Sequence, residues 1–184
     1  MDIGLLVLRV VVGLLFVAHG TGKLFGWFQA GHGVAGTSDM LAGFDFRPAR
    51  PWALVNGLSE TAGGALLALG LLTPLGAAMV IGVMLVAART AHAGKGPWVF
   101  AGGWEYPLAI GAVATALAFA GPGAYSLDRL LGLDLSGWTW GLGALVVGLG
   151  AAVLTLTLGR QPAPAAGKQP ADREREREPV GARR

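Results

Sequence analysis

The chain has 184 residues, 53% of them apolar and only 14% charged, with a mean hydropathy of +0.57 and a formal net charge of +3. An ordinary soluble domain carries about 25% charged residues, so composition excludes a soluble globular protein and points to a multi-span membrane protein with a polar tail. There is no cysteine, which removes disulfides, a thiolate nucleophile, a cysteine-bound iron–sulfur cluster and Cys-x-x-Cys-His haem attachment; three histidines are too few for a closed zinc site, and no metal is expected.

Five apolar stretches reach the roughly 17–25 residues that cross a hydrocarbon core: Ile3–Lys23, Trp52–Leu72, Leu75–His92, Trp104–Ala120 and Trp138–Leu158. The first reads as a retained span and not a cleaved signal peptide, because Asp2 precedes it and neither a basic n-region nor an Ala-x-Ala site flanks it. About thirty residues follow that contain Gly31, Gly33, Gly36, Gly43, Pro48 and Pro51, too long and broken for a simple turn. Segments of that size often carry function. Leu72-Thr73-Pro74 then joins spans two and three as a tight antiparallel hairpin, with Thr73 expected as N-cap and Pro74 as the first helical residue.

The fourth span is the shortest. The fifth carries small residues at helical spacing, Gly141, Ala144, Gly148, Ala151 or Ala152, then Thr155, which suits close helix packing in lipid, within the chain or in a homo-oligomer. Its run Gly141-x-Gly143-x4-Gly148 has neither the spacing nor the preceding strand of a nucleotide fingerprint. Residues 160–184, with charges alternating from Asp172 to Glu178, cannot bury enough apolar area to offset ordering entropy and read as a disordered tail. The expected fold class is all-α: a multi-pass membrane four-helix bundle over residues 1–135, a fifth transmembrane helix over 136–159, and a charged tail over 160–184.

With five spans, the first loop, the third loop and the tail share one side. That side holds Lys23, Arg47, Arg50, Arg89, Lys95 and the basic residues beyond Leu158, against Arg129 alone opposite. The Lys and Arg excess marks the cytoplasmic side, so the N-terminus is expected outside and the C-terminus inside. Trp27, Trp52, Trp98 and Trp104 fall at the cytoplasmic face and Trp138 and Trp140 at the other, as interfacial aromatic belts do.

Ionisable residues inside spans are costly, so each calls for a partner or a task. His19 and Lys23 end span one at i, i+4 spacing, Arg89 and His92 end span three at i, i+3 spacing, and Glu105 opens span four, all beside the long first loop. Glu60 lies about 12 Å into span two and Arg9 about 15 Å from His19, depths that suggest a buried Arg9–Glu60 ion pair; an outward-snorkelling Arg9 with a protonated Glu60 is the alternative. The candidate polar site is therefore Arg9, His19, Lys23, Glu60, Arg89, His92 and Glu105. A structural role, proton or quinone contact, and a bis-histidine haem at His19 and His92 are all chemically open, haem being the least favoured.

Five motifs in order carry a family resemblance: His19-Gly20-x-x-Lys23-Leu24-Phe25-Gly26-Trp27-Phe28, Gly57-Leu58-x-Glu60-x-x-Gly63-Gly64, Leu71-Leu72-Thr73-Pro74, Gly103-Trp104-Glu105-Tyr106-Pro107-Leu108 and Gly121-Pro122-Gly123-x-Tyr125-Ser126-Leu127-Asp128. Over residues 3–132 the chain resembles the DoxX family of small bacterial membrane proteins. The resemblance implies a four-helix core in the bacterial cytoplasmic membrane. It also implies a role near redox chemistry, since members resemble a subunit of thiosulfate:quinone oxidoreductase and mycobacterial relatives are linked to an oxidoreductase complex containing superoxide dismutase and a sulfurtransferase.

Three functions follow as expectations. The first is an accessory, non-catalytic subunit of a membrane oxidoreductase system that answers oxidative stress, with His19 and Glu60 contacting quinone. The second is a small transporter whose path is lined by Arg9 and Glu60. The third is a scaffold holding cytoplasmic redox enzymes through the first loop and tail. The expected partners are the lipid bilayer, such enzymes and a second copy of the chain, and no nucleic acid.

Overall fold

The computed structural model describes residues 2–29 and 32–161; the expected tail beyond Gln161 lies outside the described residues. Among the described residues the chain is helical without a strand: α1 (Asp2–Phe25), α2 (Gly33–Gly43), α3 (Ala49–Leu69), α4 (Thr73–Thr90), α5 (Glu105–Ala120), the single turn α6 (Leu127–Leu130) and α7 (Trp138–Gly159). The five long helices match the five apolar stretches. α1, α4 and α7 are long and apolar enough to cross a membrane, and α5 is a shorter apolar helix. α3 is as long as these, but its composition is diluted by Asn56, Ser59, Glu60 and Thr61.

α1 and α3 run antiparallel in close contact. A Cβ on Gly13 would lie 2.5 Å from the Gly64 carbonyl oxygen, and one on Gly20 would lie 2.7 Å from that of Gly57. Two glycines seven residues apart on each helix thus let the backbones touch, which is how helices gain packing energy where lipid removes the hydrophobic effect. α4 is the central element, packed on α3, α5 and α7, with Ala77, Val80 and Ile81 in a core shared with Val12, Leu67 and Leu117. α7 buries the small-residue stripe Gly141, Ala144, Gly148, Ala152 and Gly159. A Cβ on Gly148 would lie 2.9 Å from the Ala78 carbonyl oxygen, so the stripe packs on α4 and α5 within the chain, where its close approach is already used.

The outside is apolar. Val7, Val11 and Leu14 on α1, Leu54 and Leu58 on α3, and Val146, Val153 and Leu154 on α7 are exposed. Long helices with apolar outer faces and polar groups turned inward define a multi-pass membrane protein.

The segment between α1 and α3 is not irregular throughout, for α2 forms one short helix against α1 and α3. The Thr37 hydroxyl donates to the Lys23 carbonyl at 3.1 Å, satisfying one of the open carbonyls at the end of α1. Phe46, almost fully buried, packs on Trp52 with ring centroids 6.1 Å apart. The end of α7 clasps this segment: Arg47 N–H donates to Gly159 O at 2.8 Å, and Gln161 N–H to Asp45 O at 2.9 Å.

At the opposite end, the α3–α4 hairpin differs from expectation in its cap. Leu72, in the left-handed region at φ 45°, occupies the N-cap position, and Thr73 is already helical. The capping oxygens come from Asp128, which accepts from Leu72 N–H (2.7 Å), Thr73 N–H (3.0 Å) and the Thr73 hydroxyl (2.8 Å). A carboxylate brought from α6 thus does the work a local Thr side chain was expected to do.

Candidate functional site

The seven polar residues singled out by sequence fall into three places. Arg9 is fully buried near the Asp128 end, donating from Nη1 to Leu67 O (3.3 Å) and from Nη2 to Tyr125 O (2.6 Å). Its Nη1 thus meets the Leu67 carbonyl in the last turn of α3, a helix end where a cation is favoured. The expected Arg9–Glu60 ion pair does not form. The matched depths take His19 as the end of the span, but α1 continues through Phe25, which puts Arg9 about 24 Å from that end against about 16 Å for Glu60 from the start of α3 at 1.5 Å per residue. The glycine register makes the separation concrete: with Gly13 beside Gly64 and Gly20 near Gly57, Arg9 faces the last turn of α3, two turns beyond Glu60.

Glu60 pairs instead with Lys23. Side chains on a helix lean toward its N-terminus, so in antiparallel α1 and α3 Lys23 and Glu60 lean toward each other. Lys23 Nζ donates to Glu60 Oε1 and also to Asn56 Oδ1 at 2.7 Å. Glu60 is 3% exposed, and its second oxygen, Oε2, has no hydrogen-bond partner among the described residues. Asn56, one helical turn before Glu60, went unnoticed in the sequence because an uncharged amide raises no alarm in a hydropathy reading; the i, i+4 spacing was its only signal.

Lys23 and Glu60 open on a cavity of about 200 Å³ bounded by α1, α2, α3, α4 and α5. His19, Asn56, Thr90, His92 and Tyr106 supply the rest of its polar lining, and Phe16, Met40, Phe44, Met84 and Pro107 are among its apolar walls. Both imidazoles are held: His19 Nδ1 lies 2.9 Å from Leu15 O and His92 Nδ1 2.7 Å from Gly102 O. A carbonyl only accepts, so each Nδ1 carries a proton, and a ring in its neutral form has Nε2 as an acceptor. Tyr106 is the second residue that sequence reasoning passed over, although it stands in the Trp104-Glu105-Tyr106-Pro107 motif.

The structure therefore brings His19, Lys23, Glu60 and His92 to one cavity. Arg89, exposed on the last turn of α4, and Glu105 lie outside its lining. Glu105 Oε2 accepts from Val99 N–H at 2.9 Å, which ties down the short helical turn Val99–Ala101 before α5.

A polytopic helical membrane protein with an ion-paired polar cavity near one end of its bundle is the class defined by this architecture. The chain belongs to the DoxX family, whose model matches residues 4–93. That stretch holds α1 to α4 and, with them, His19, Lys23, Asn56, Glu60 and His92, whereas Tyr106 lies beyond it. The chain is 34% identical over 130 residues to the inner membrane protein YqjF of Escherichia coli strain K12, covering 71% of this chain and 93% of that protein. It is also 34% identical over 128 residues to an uncharacterized protein of Haemophilus influenzae, covering 66% of this chain and 86% of the relative. Among solved structures none matches significantly.

Proposed function

We propose that this DoxX protein is an accessory subunit of a redox system in the bacterial inner membrane, and that its polar cavity receives the ring of a membrane quinone. The observation that carries this reading is Glu60: an almost wholly buried carboxylate with one free oxygen, beside Lys23, in a ring-sized cavity also lined by His19, His92 and Tyr106. At about 200 Å³ the space is smaller than the roughly 300–1,000 Å³ of pockets that enclose drug-sized ligands, and it suits one ring whose tail lies outside in lipid. Lys23 and the Tyr106 phenol can donate to ring oxygens, and the carboxylate and imidazoles can take up or return protons as the ring changes redox state. The electrons themselves come from a partner enzyme.

The Escherichia coli relative is an inner membrane protein, which supports the inner-membrane placement. The cavity end carries Lys23, Arg47, Arg50, Arg89, Lys95 and Arg160, while Arg129 lies in α6 at the other, which favours a cytoplasmic cavity end. Between Arg9 and Glu60 lie the packed apolar side chains of Val12, Leu67, Val80 and Leu117, which favours a site entered from one side over a path through the bundle.

The test is twofold: extraction and identification of quinone from protein purified in mild detergent, and titration with decylubiquinone in oxidised and reduced forms. Bound quinone, and affinity for at least one form that falls about tenfold or more in Glu60→Gln, is the expected result. No co-purified quinone together with no binding of either form would refute the reading.

A further inference from the structure

We propose that the cavity is matched to the hydroxyl form of its ring ligand, the quinol, in preference to the carbonyl form, with Glu60 Oε2 accepting the ring O–H; the inference rests on the quinone reading above. It follows from which hydrogen-bonding capacity the protein leaves unused. Of the three N–H donors on Lys23, one goes to Asn56 Oδ1 and one to Glu60 Oε1, leaving one. Glu60 Oε1 is taken and Oε2 is buried without a partner among the described residues. His19 and His92 each spend their Nδ1–H on a backbone carbonyl, so in neutral form each has only an acceptor left. The unused donors are one ammonium N–H, the Asn56 side-chain N–H groups and the Tyr106 hydroxyl; the unused acceptors are two imidazole nitrogens and Glu60 Oε2, and of all these it is Oε2 that is buried.

Charge narrows the ligand further. Lys23 and Glu60 neutralise each other, so an added cation would meet the ammonium and an added anion the carboxylate, and a neutral ligand is favoured. A neutral carbonyl ring can accept from Lys23 or Tyr106 but brings no donor for Oε2. A ring hydroxyl does both, donating to Oε2 and accepting from the remaining Lys23 N–H. The conclusion is the same if water reaches Oε2 before the ligand arrives, because a carbonyl that displaces it cannot replace its hydrogen bond and a hydroxyl can.

The deciding experiment is calorimetric titration of the full chain in detergent, under anaerobic conditions, with decylubiquinol and with decylubiquinone. The quinol is expected to bind about tenfold or more tightly than the quinone, the factor that corresponds to one buried acceptor left unpaired. In Glu60→Gln, checked for an unchanged elution profile, the two forms should bind within about twofold of each other. Because the wild-type comparison needs no variant, equal affinity or a preference for the quinone overturns the inference while leaving the quinone reading standing. Failure of both forms to bind overturns the two together.

Discussion

Replacing Lys23 by Met tests the ion pair on which the site is built. The substitution keeps most of the apolar stem of the side chain but leaves Glu60, at 3% exposure, without its counter-charge, and it frees Asn56 Oδ1. Breaking a buried pair from one side costs about 3–5 kcal/mol. Lys23 keeps 20% of its side chain exposed, so solvent screening lowers the expected loss to about 2–4 kcal/mol. The double variant Lys23→Met with Glu60→Gln removes both charges and should recover at least half of that loss, since no uncompensated charge remains. Equilibrium unfolding in mixed detergent micelles, followed by tryptophan fluorescence, gives the four free energies of the cycle. A parallel cycle on Arg9→Met with Glu60→Gln should be additive within about 0.5 kcal/mol, because the two side chains share no partner. Coupling between Arg9 and Glu60, or its absence between Lys23 and Glu60, would refute the pairing.

Three further outcomes follow from the same structure. Asp128→Ala strands Leu72 N–H, Thr73 N–H and the Thr73 hydroxyl at the α3–α4 turn and should cost about 2–4 kcal/mol in the same unfolding assay; a loss below about 0.5 kcal/mol would mean that the turn holds without its cap. Gly13→Leu drives a side chain into the Gly64 carbonyl and Ala68 backbone and should destabilise by more than about 3 kcal/mol, whereas Gly143→Ala, which meets nothing within 4 Å, should be neutral or gain up to about 1 kcal/mol of helix propensity. In a chain without native cysteine, Lys95→Cys should react with a membrane-impermeant maleimide only from the cytoplasmic side and Asp134→Cys only from the outside; the reverse pattern would invert the proposed topology.

The five long helices were legible because a span is a composition: some twenty apolar residues between polar or aromatic ends need no partner to be recognised. α2 was hidden because Gly33, Gly36, Gly43, Thr37 and Ser38 give its sequence little intrinsic helical preference, and its stability comes from packing on α1 and α3. The partner of Glu60 was misread for a geometric reason. Depth measured along one helix says little about register between two, and register here is fixed by Gly13, Gly20, Gly57 and Gly64, whose meaning appears only once the backbones touch. Spacing alone gathered His19, Lys23 and His92 at one end, together with Arg89 and Glu105, which the structure leaves outside the cavity lining. Tyr106, Asn56 and the capping role of Asp128 depend on which helices become neighbours, which neither period nor composition encodes.

The central claim is that a membrane quinone seats its ring between Glu60, Lys23 and the two histidines, and photoaffinity labelling tests it most directly. An azidoquinone carrying a short alkyl tail would be irradiated with the full chain in native membrane vesicles, and the modified residues located by mass spectrometry. The account predicts labels concentrated on cavity-lining residues of α1, α4 and α5, such as Phe16, Met84 and Tyr106, suppressed by excess decylubiquinol and reduced in Glu60→Gln. Labels spread over the lipid-facing side chains of α1 and α7, indifferent to competitor and to Glu60, would contradict it.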